Sequence, residues 1–271
     1  MSTTIDRDVV TELDGGVLTV TIDRPSVMNA VTARTLAEVA DSFERHAHDP
    51  AVRVAVLSGA AGVFCSGADL SAVGDFSEPP SADTIDAANR AVAAVRTFPA
   101  PVIGSVDGAA VGVGVSLALS CDLAVASESA YFMLAFTRIG LMPDGGATAL
   151  VAASVGRARA MRMAMLAERI SAAQAADLGL IASVHPGADF AEEVRALTVR
   201  LASGPQRAYR LTKAAVNDSA LTELERAFAR ERAGQLELLA SADFAEGVRA
   251  FQSKRTPEFG LHRRPADQSF Q

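Results

Sequence analysis

Tryptophan is absent from the 271 residues and aromatic side chains make up only 5% of them, so the core must be built from the aliphatic majority of a chain that is 49% hydrophobic. Cysteine occurs only at Cys65 and Cys121. Neither sits in a His/Cys cluster of zinc spacing, which argues against a disulfide scaffold or a metal site and for a reduced, cytoplasmic protein. Positive charge is not in excess: 25 Lys+Arg face 32 Asp+Glu, a formal net charge of −7. No basic block is interleaved with aromatics, so the electrostatic footprint of nucleic-acid binding is missing. Long apolar runs are missing too. The most apolar stretch, residues 109–119, is too short to span a bilayer and is broken by Gly112 and Gly114. Residues 1–8 are polar and charged where a signal peptide needs an apolar centre. A soluble protein is expected, free of membrane and nucleic-acid partners. An acidic chain of this kind holds an anionic ligand through local backbone N–H groups and a few placed cations.

A chain of this length buries about three quarters of its extended surface, enough for one large domain with or without a helical appendage. Residues 9–22 alternate β-branched and polar side chains around Asp14-Gly15-Gly16, the chemistry of a hairpin. Residues 32–46 place Leu36, Val39, Ala40 and Phe43 at helical spacing behind Thr32, a suitable N-cap. Strands are expected at 52–57, 101–106 and 123–126, and helices at 81–98 and 112–121, with a Gly-rich loop through Gly62, Gly67 and Gly74 and a break at Pro79-Pro80. This alternation argues for βαβ units and a sheet covered by helices. Beyond Gly156 the pattern reads as almost wholly helical, with segments near 157–166, 172–178, 190–202, 206–217, 221–239 and 243–254. Gly204-Pro205 divides an α/β core, 1–203, from a helical region, 204–271, whose last residues from Leu261 are expected to fray. Leu221, Leu224, Phe228 and Leu236 form an apolar stripe that fits either a lid on the chain's own core or an oligomerisation element.

Three segments can carry chemistry. Residues 64–70 and 107–116 are Gly-containing turns, each ahead of a helix or loop that presents backbone N–H groups; one N–H from each, aimed at a single oxygen, would form an oxyanion hole. The third glycine of a dinucleotide fingerprint is missing. On spacing alone, ordinary turn glycines are the plainer reading of both segments. The third segment, 136–148, sets Asp144 between Pro143 and two glycines, where burial would raise a carboxyl toward the working range of a base. A turn or N-cap aspartate is the plainer role for the same spacing.

Together with Asp23-Arg24-Pro25, Asn29-Ala30, Cys121-Asp122, residues 156–160 and the C-terminal run from Glu246-Gly247 through Phe251, Lys254-Arg255, Pro257 and Phe259, these segments resemble the crotonase superfamily, the enoyl-CoA hydratases/isomerases. The resemblance runs from the hairpin to the last helix. It implies an α/β fold, the ClpP/crotonase-like spiral of ββα units with a helical C-terminal trimerisation region. It also implies an acyl-CoA thioester as substrate, with coenzyme A part of that substrate and no separate cofactor or metal. The thioester oxygen would be held by the N–H groups of Ala68 and Val113. Arg24, Ala30, Ala68, Asp69 and Leu70 would line the CoA, and Phe251 and Lys254 would reach the CoA of a neighbouring subunit. The family further implies a homotrimer or dimer of trimers, with the helical tail packed on neighbouring cores rather than on its own.

The chain departs from the hydratase pattern where chemistry is decided. The positions of the two hydratase glutamates fall on Ser116 and Phe136, here expected to line the acyl pocket. A serine is a poor base at neutral pH and phenylalanine is none, while each acid/base group contributes about 10²- to 10⁴-fold in rate. Several family isomerases carry an aspartate at the position of Asp144, and one carboxylate suffices to shift a double bond. The sequence therefore points to an enoyl-CoA isomerase with Asp144 as acid/base. The alternatives are a catalytically silent acyl-CoA binder, a true hydratase and a dehalogenase-like member; the last needs a histidine near the first turn, and His46, His48, His185 and His262 all lie elsewhere. Cys65 is expected as core filler, Arg138 as a surface residue, and Met133, Met142, Met161, Met163 and Met165 as core or acyl-tunnel residues.

Overall fold

The computed structural model describes residues 8–71, 73 and 80–260. The expected turn at Gly74, Pro79 of the Pro79-Pro80 break and the segment 261–271 lie outside the described residues.

Strands β1 (Val9–Asp14) and β2 (Val17–Ile22) pair antiparallel, with Asp14 opposite Val17. The two residues between them, Gly15 and Gly16, both have positive φ, as a two-residue hairpin whose twist matches its strands requires. Helix α1 (Ala33–His46) starts in a reciprocal capping box between Thr32 and Thr35 and buries Leu36, Val39, Ala40 and Phe43. There follow β3 (Val54–Gly59), α2 (Asp83–Thr97), β4 (Val102–Val106), β5 (Ala109–Val111), α3 (Val113–Ser120), β6 (Leu123–Ser127) and β7 (Tyr131–Met133). The second half contains α4 (Ala147–Val155), α5 (Arg157–Leu166), β8 (Ile170–Ser171), α6 (Ala172–Asp177), β9 (Ser183–His185), α7 (Gly187–Ala202), α8 (Gln206–Ala220), α9 (Leu224–Leu239) and α10 (Ala242–Gln252).

Six strands form one sheet in the order β1-β2-β3-β4-β6-β9, parallel except for the hairpin strand β1. Successive residues of β3 serve opposite faces. Ala55 and Leu57 join the large core that includes residues of α1 and α2, where Phe43 and Phe98 meet edge to face at 5.3 Å. Val54 and Val56 join Ile103, Val125 and Phe190 of α7 on the other face. A smaller sheet, β5-β7-β8, stands beside it.

Two expectations are corrected. The region beyond Gly156, expected to be almost wholly helical, also holds two short strands: β9 extends the main sheet by pairing with β6, and β8 pairs with β7. These strands, like β5 and β7, run for two or three residues, too few for alternation to register, and are fixed by neighbours distant in sequence. The apolar stripe of the tail also lies on its own core. Leu224 and Phe228 are buried, and a Cβ placed on Gly146 would stand 2.6 Å from Leu224 Cδ1 and 2.8 Å from Phe228 Cε1. Those two side chains face α4 of the same chain, so a neighbouring subunit would have to use other surface. Among the described residues no helix is long and apolar enough to cross a membrane.

Candidate active site

The two Gly-containing turns are brought side by side by a backbone ladder. Phe64 and Cys65 donate their N–H groups to the carbonyls of Asp107 and Ala109 at 2.7 and 2.8 Å, and Val111 N–H donates to the Cys65 carbonyl at 2.9 Å. The ladder ends at Gly67 and Gly112. A Cβ on Gly67 would stand 3.2 Å from the Val111 carbonyl oxygen and one on Gly112 would stand 3.7 Å from Gly67 Cα, and both residues have positive φ. Glycine at these positions lets the two turns touch. The next residues are Ala68 and Val113, and neither N–H finds a hydrogen-bond acceptor among the described residues. Val113 is the first residue of α3, where the helix leaves its N–H groups free.

Asp144 stands at the same place. A Cβ on Gly145 would lie 3.2 Å from Ser116 Oγ and 3.4 Å from Val113 Cγ2, and the one on Gly112 would lie 3.8 Å from Phe136 Cζ. Val113, Ser116, Phe136 and the Asp144 loop thus lie close together. Ser116 is fully buried, and its hydroxyl donates to the Asp144 carbonyl at 2.9 Å. Its role is to hold the loop. Phe136, 9% exposed, forms an apolar wall beside Gly112.

The partners of Asp144 come from the tail, and the sequence pattern did not reveal them. Gln235 of α9 donates Nε2 to Asp144 Oδ2 at 2.8 Å and to the Met142 carbonyl at 2.7 Å. One turn earlier Glu231 accepts the N–H groups of Gly146 and Thr148 at 2.7 and 2.9 Å and the Thr148 hydroxyl at 2.5 Å, capping the start of α4 from another helix. Both side chains are buried. Their signal is the stripe itself: Leu224, Ala227 and Phe228 continue at helical spacing into Glu231 and Gln235, so polar groups occupy core positions of an amphipathic helix. Burial, with Glu231 adding like-charge repulsion, pushes the Asp144 carboxyl up to about 7 against the opposing Gln235 hydrogen bond. Burial also raises Glu231, while Thr148 and the two N–H groups act to keep it ionised.

The residues assigned to CoA meet at the outer side of the first turn. Val31 N–H donates to the Gly67 carbonyl at 2.8 Å and Asp69 N–H to the Val31 carbonyl at 2.9 Å, so the strand-like pairing that begins beside Ala30 orients Ala68. Arg24 donates Nη1 to the Ala30 carbonyl and to Asp69 Oδ2, and its Nε lies 3.5 Å from Asp8. Two carboxylates already match its charge, so Arg24 organises this corner. Hydrogen bonds from Ser71, reinforced by Arg24, hold the Asp69 carboxyl below its usual range despite partial burial. Leu70 is met by the tail: Gln252 Nε2 donates to the Leu70 and Val73 carbonyls at 3.3 and 2.8 Å. Phe251 and Lys254, next to Gln252 and two residues beyond it, are both exposed.

Other sequence expectations resolve simply. Cys65 is fully buried and its thiol is pushed up to about 12 by desolvation, as suits core filler. Arg138 is exposed and donates to the Ala167 carbonyl at 2.9 Å, closing the end of α5. Met133 and Met163 are buried and Met142 is partly buried against Gly234, but Met161 and Met165 are exposed on α5 and belong to neither core nor tunnel. Among the described residues no group of three or more His, Cys, Asp or Glu could hold a metal ion.

Comparison with known proteins places this geometry in a family. The family model described as enoyl-CoA hydratase/isomerase matches residues 12–262. A probable enoyl-CoA hydratase of Rhodobacter capsulatus is 42% identical over 251 residues, 92% of this chain and 96% of that protein. A 1,2-epoxyphenylacetyl-CoA isomerase of Escherichia coli is 35% identical over 258 residues, covering 93% and 97%. A crystal structure of an enoyl-CoA hydratase from Mycobacterium avium subsp. paratuberculosis superimposes with a TM-score of 0.87 at 48% identity, covering 93% of this chain and 98% of that one.

Proposed function

Since the chain belongs to the enoyl-CoA hydratase/isomerase family, we propose that it shifts a double bond in an enoyl-CoA thioester, with Asp144 as the acid/base and the Ala68 and Val113 N–H groups as the oxyanion hole. The observation that carries the reading is one raised carboxyl, Asp144, in a loop packed against Val113 and Ser116, where Ser116 and Phe136 contribute no acid. Asp144, ionised, takes a proton from the carbon next to the thioester carbonyl of a 3-enoyl-CoA. The two N–H groups stabilise the charge that moves onto the thioester oxygen, giving a dienolate. The carboxylic acid then returns the same proton two carbons farther along, yielding the conjugated 2-enoyl thioester. No water enters the balance. Addition of water would need a second group to hold and deprotonate it; Phe136 offers no hydrogen bond and the Ser116 hydroxyl is committed to the Asp144 carbonyl.

Arg24, Ala30, Ala68, Asp69 and Leu70 would line the coenzyme A portion, with Phe251 and Lys254 reaching the CoA of a neighbouring subunit. The relative named as a 1,2-epoxyphenylacetyl-CoA isomerase supports isomerisation, and the relatives named as hydratases favour water addition as the second reading. A panel of 3-enoyl-, 2-enoyl- and 2,5-dienoyl-CoAs, assayed separately for isomer formation and for hydration, decides between them. Isomer formation that Asp144→Asn lowers about 10²- to 10⁴-fold is the expected result. Rapid hydration of a 2-enoyl-CoA would overturn it, and acyl-CoA binding without any α-proton exchange into heavy water would point to a silent binder.

A further inference from the structure

Gln235 is almost wholly buried in α9, and its amide bridges two acceptors: the Met142 carbonyl at 2.7 Å and Asp144 Oδ2 at 2.8 Å. Its own oxygen, Oε1, is buried without a hydrogen-bond donor among the described residues. Turning the amide over would not repair this, because Oε1 would then face a carbonyl oxygen and an ionised carboxylate. The Met142 carbonyl can only accept, so it fixes which end of the amide faces Asp144. A buried glutamine with an orphaned oxygen costs stability that an apolar side chain of the same length would avoid. What the amide provides in return is a donor aimed at one oxygen of the carboxylate.

We propose that Gln235 is a positioning residue for Asp144: its N–H pins Oδ2 as a permanent acceptor, so that Oδ1 is the oxygen that takes up and returns the proton. Protonation on Oδ2 would break the Gln235 bond, whereas protonation on Oδ1 leaves it intact, and the carboxyl keeps one orientation through the cycle. The backbone of the same residue is held in parallel, its carbonyl accepting from Ser116 Oγ at 2.9 Å and from Ala147 N–H at 3.2 Å. Among the described residues, Glu231 of α9 is the titratable group that faces Asp144. Arg138 in the preceding turn points to the Ala167 carbonyl, Arg230 of α9 lies 3.7 Å from Glu223, and Glu246 of α10 is bound by Arg255. Asp243 of α10 accepts the Gly260 N–H. Glu231 is committed to the start of α4, which leaves Gln235 as the group that favours the ionised form of Asp144.

The inference rests on Asp144 acting as the base, and its test separates the two. Gln235→Met removes the donor at similar volume, and Gln235→Glu keeps the shape while adding a like charge. The acid limb of the pH profile of kcat/KM is expected to move upward by about one pH unit in Gln235→Met and farther in Gln235→Glu, with KM within about twofold of the parent. Infrared titration of the carboxyl band, using Asp144→Asn as the blank, should show the same displacement without requiring turnover. A residue that only packs α9 would lower the melting temperature and leave both the limb and the band in place; that result in folded variants overturns the proposal. If Gln235→Met does not fold, the isosteric Gln235→Glu decides alone. Turnover that survives Asp144→Asn would instead refute the functional reading, while the infrared displacement would still report whether Gln235 holds the carboxyl.

Discussion

At the scale of the residue, the position of Asp144 is legible in the sequence but its state is not. Pro143 and two glycines mark a tight turn, yet the carboxyl is raised by burial and by Glu231 against the hydrogen bond from Gln235, both groups about ninety positions away. The sign of the linkage follows. A carboxyl whose folded value lies above its unfolded one costs nothing while both states are protonated; the cost grows as pH rises and is complete above about 7. Asp144→Asn should therefore stabilise the protein at pH 8, by about 1 to 4 kcal/mol, and leave it unchanged near pH 3.5, as read from urea melts at the two values. Activity has the opposite dependence. A base must be ionised, so kcat/KM should rise with pH and level off above an apparent value near 7. A flat profile between pH 5.5 and 8 would contradict this.

Elements differ in how much of themselves the local sequence specifies. Helix α1 carries its own start signal in Thr32 and its own face in Leu36, Val39, Ala40 and Phe43, and the hairpin carries its turn in two glycines. Thr32→Ala should cost about 1 kcal/mol in urea melts and leave kcat unchanged, since the cap lies outside the catalytic volume. Helix α4 shows the contrary case. Gly146 at its N-cap supplies no side chain, and the capping carboxylate comes from Glu231 of α9. Glu231→Ala strands the buried Gly146 N–H and removes the acceptor of the Thr148 N–H and hydroxyl, and should cost about 2 kcal/mol in the same measurement while lowering turnover, because the Asp144 loop leads directly into α4. A stability loss below about 1 kcal/mol would mean that water replaces the cap. No window of sequence around α4 contains this information.

For the whole molecule, the soft boundary at Gly204 separates pieces that are not independent. The tail supplies Leu224 and Phe228 to the core, Glu231 to α4, Gln235 to Asp144 and Gln252 to the Leu70 carbonyl. Lys213 of α8, itself mostly buried, reaches Asp122 at 2.8 Å at the entry to β6. Residues 1–203 expressed alone should therefore lack a cooperative unfolding transition and bind no acyl-CoA. A two-state melt of that fragment by circular dichroism would show the tail to be dispensable for folding. The net charge of −7 acts at this scale as a determinant of solubility; under the proposed function an anionic ligand would be held by local N–H groups and by an Arg24 already matched by Asp8 and Asp69.

The sequence by itself determined the alternation of strands and helices, the two glycine turns, the carboxylate between Pro143 and Gly145, and the absence of an acid at Ser116 and Phe136. Each is written in spacing or in residue type, which act over a few positions. The tertiary structure alone decided that Gly67 touches Gly112, that two-residue and three-residue strands complete the sheets, and that α9 lies over its own α4 and holds Asp144 by Gln235. Those contacts join residues far apart in the chain through packing and hydrogen bonds, and packing fixes partners that local periodicity does not encode.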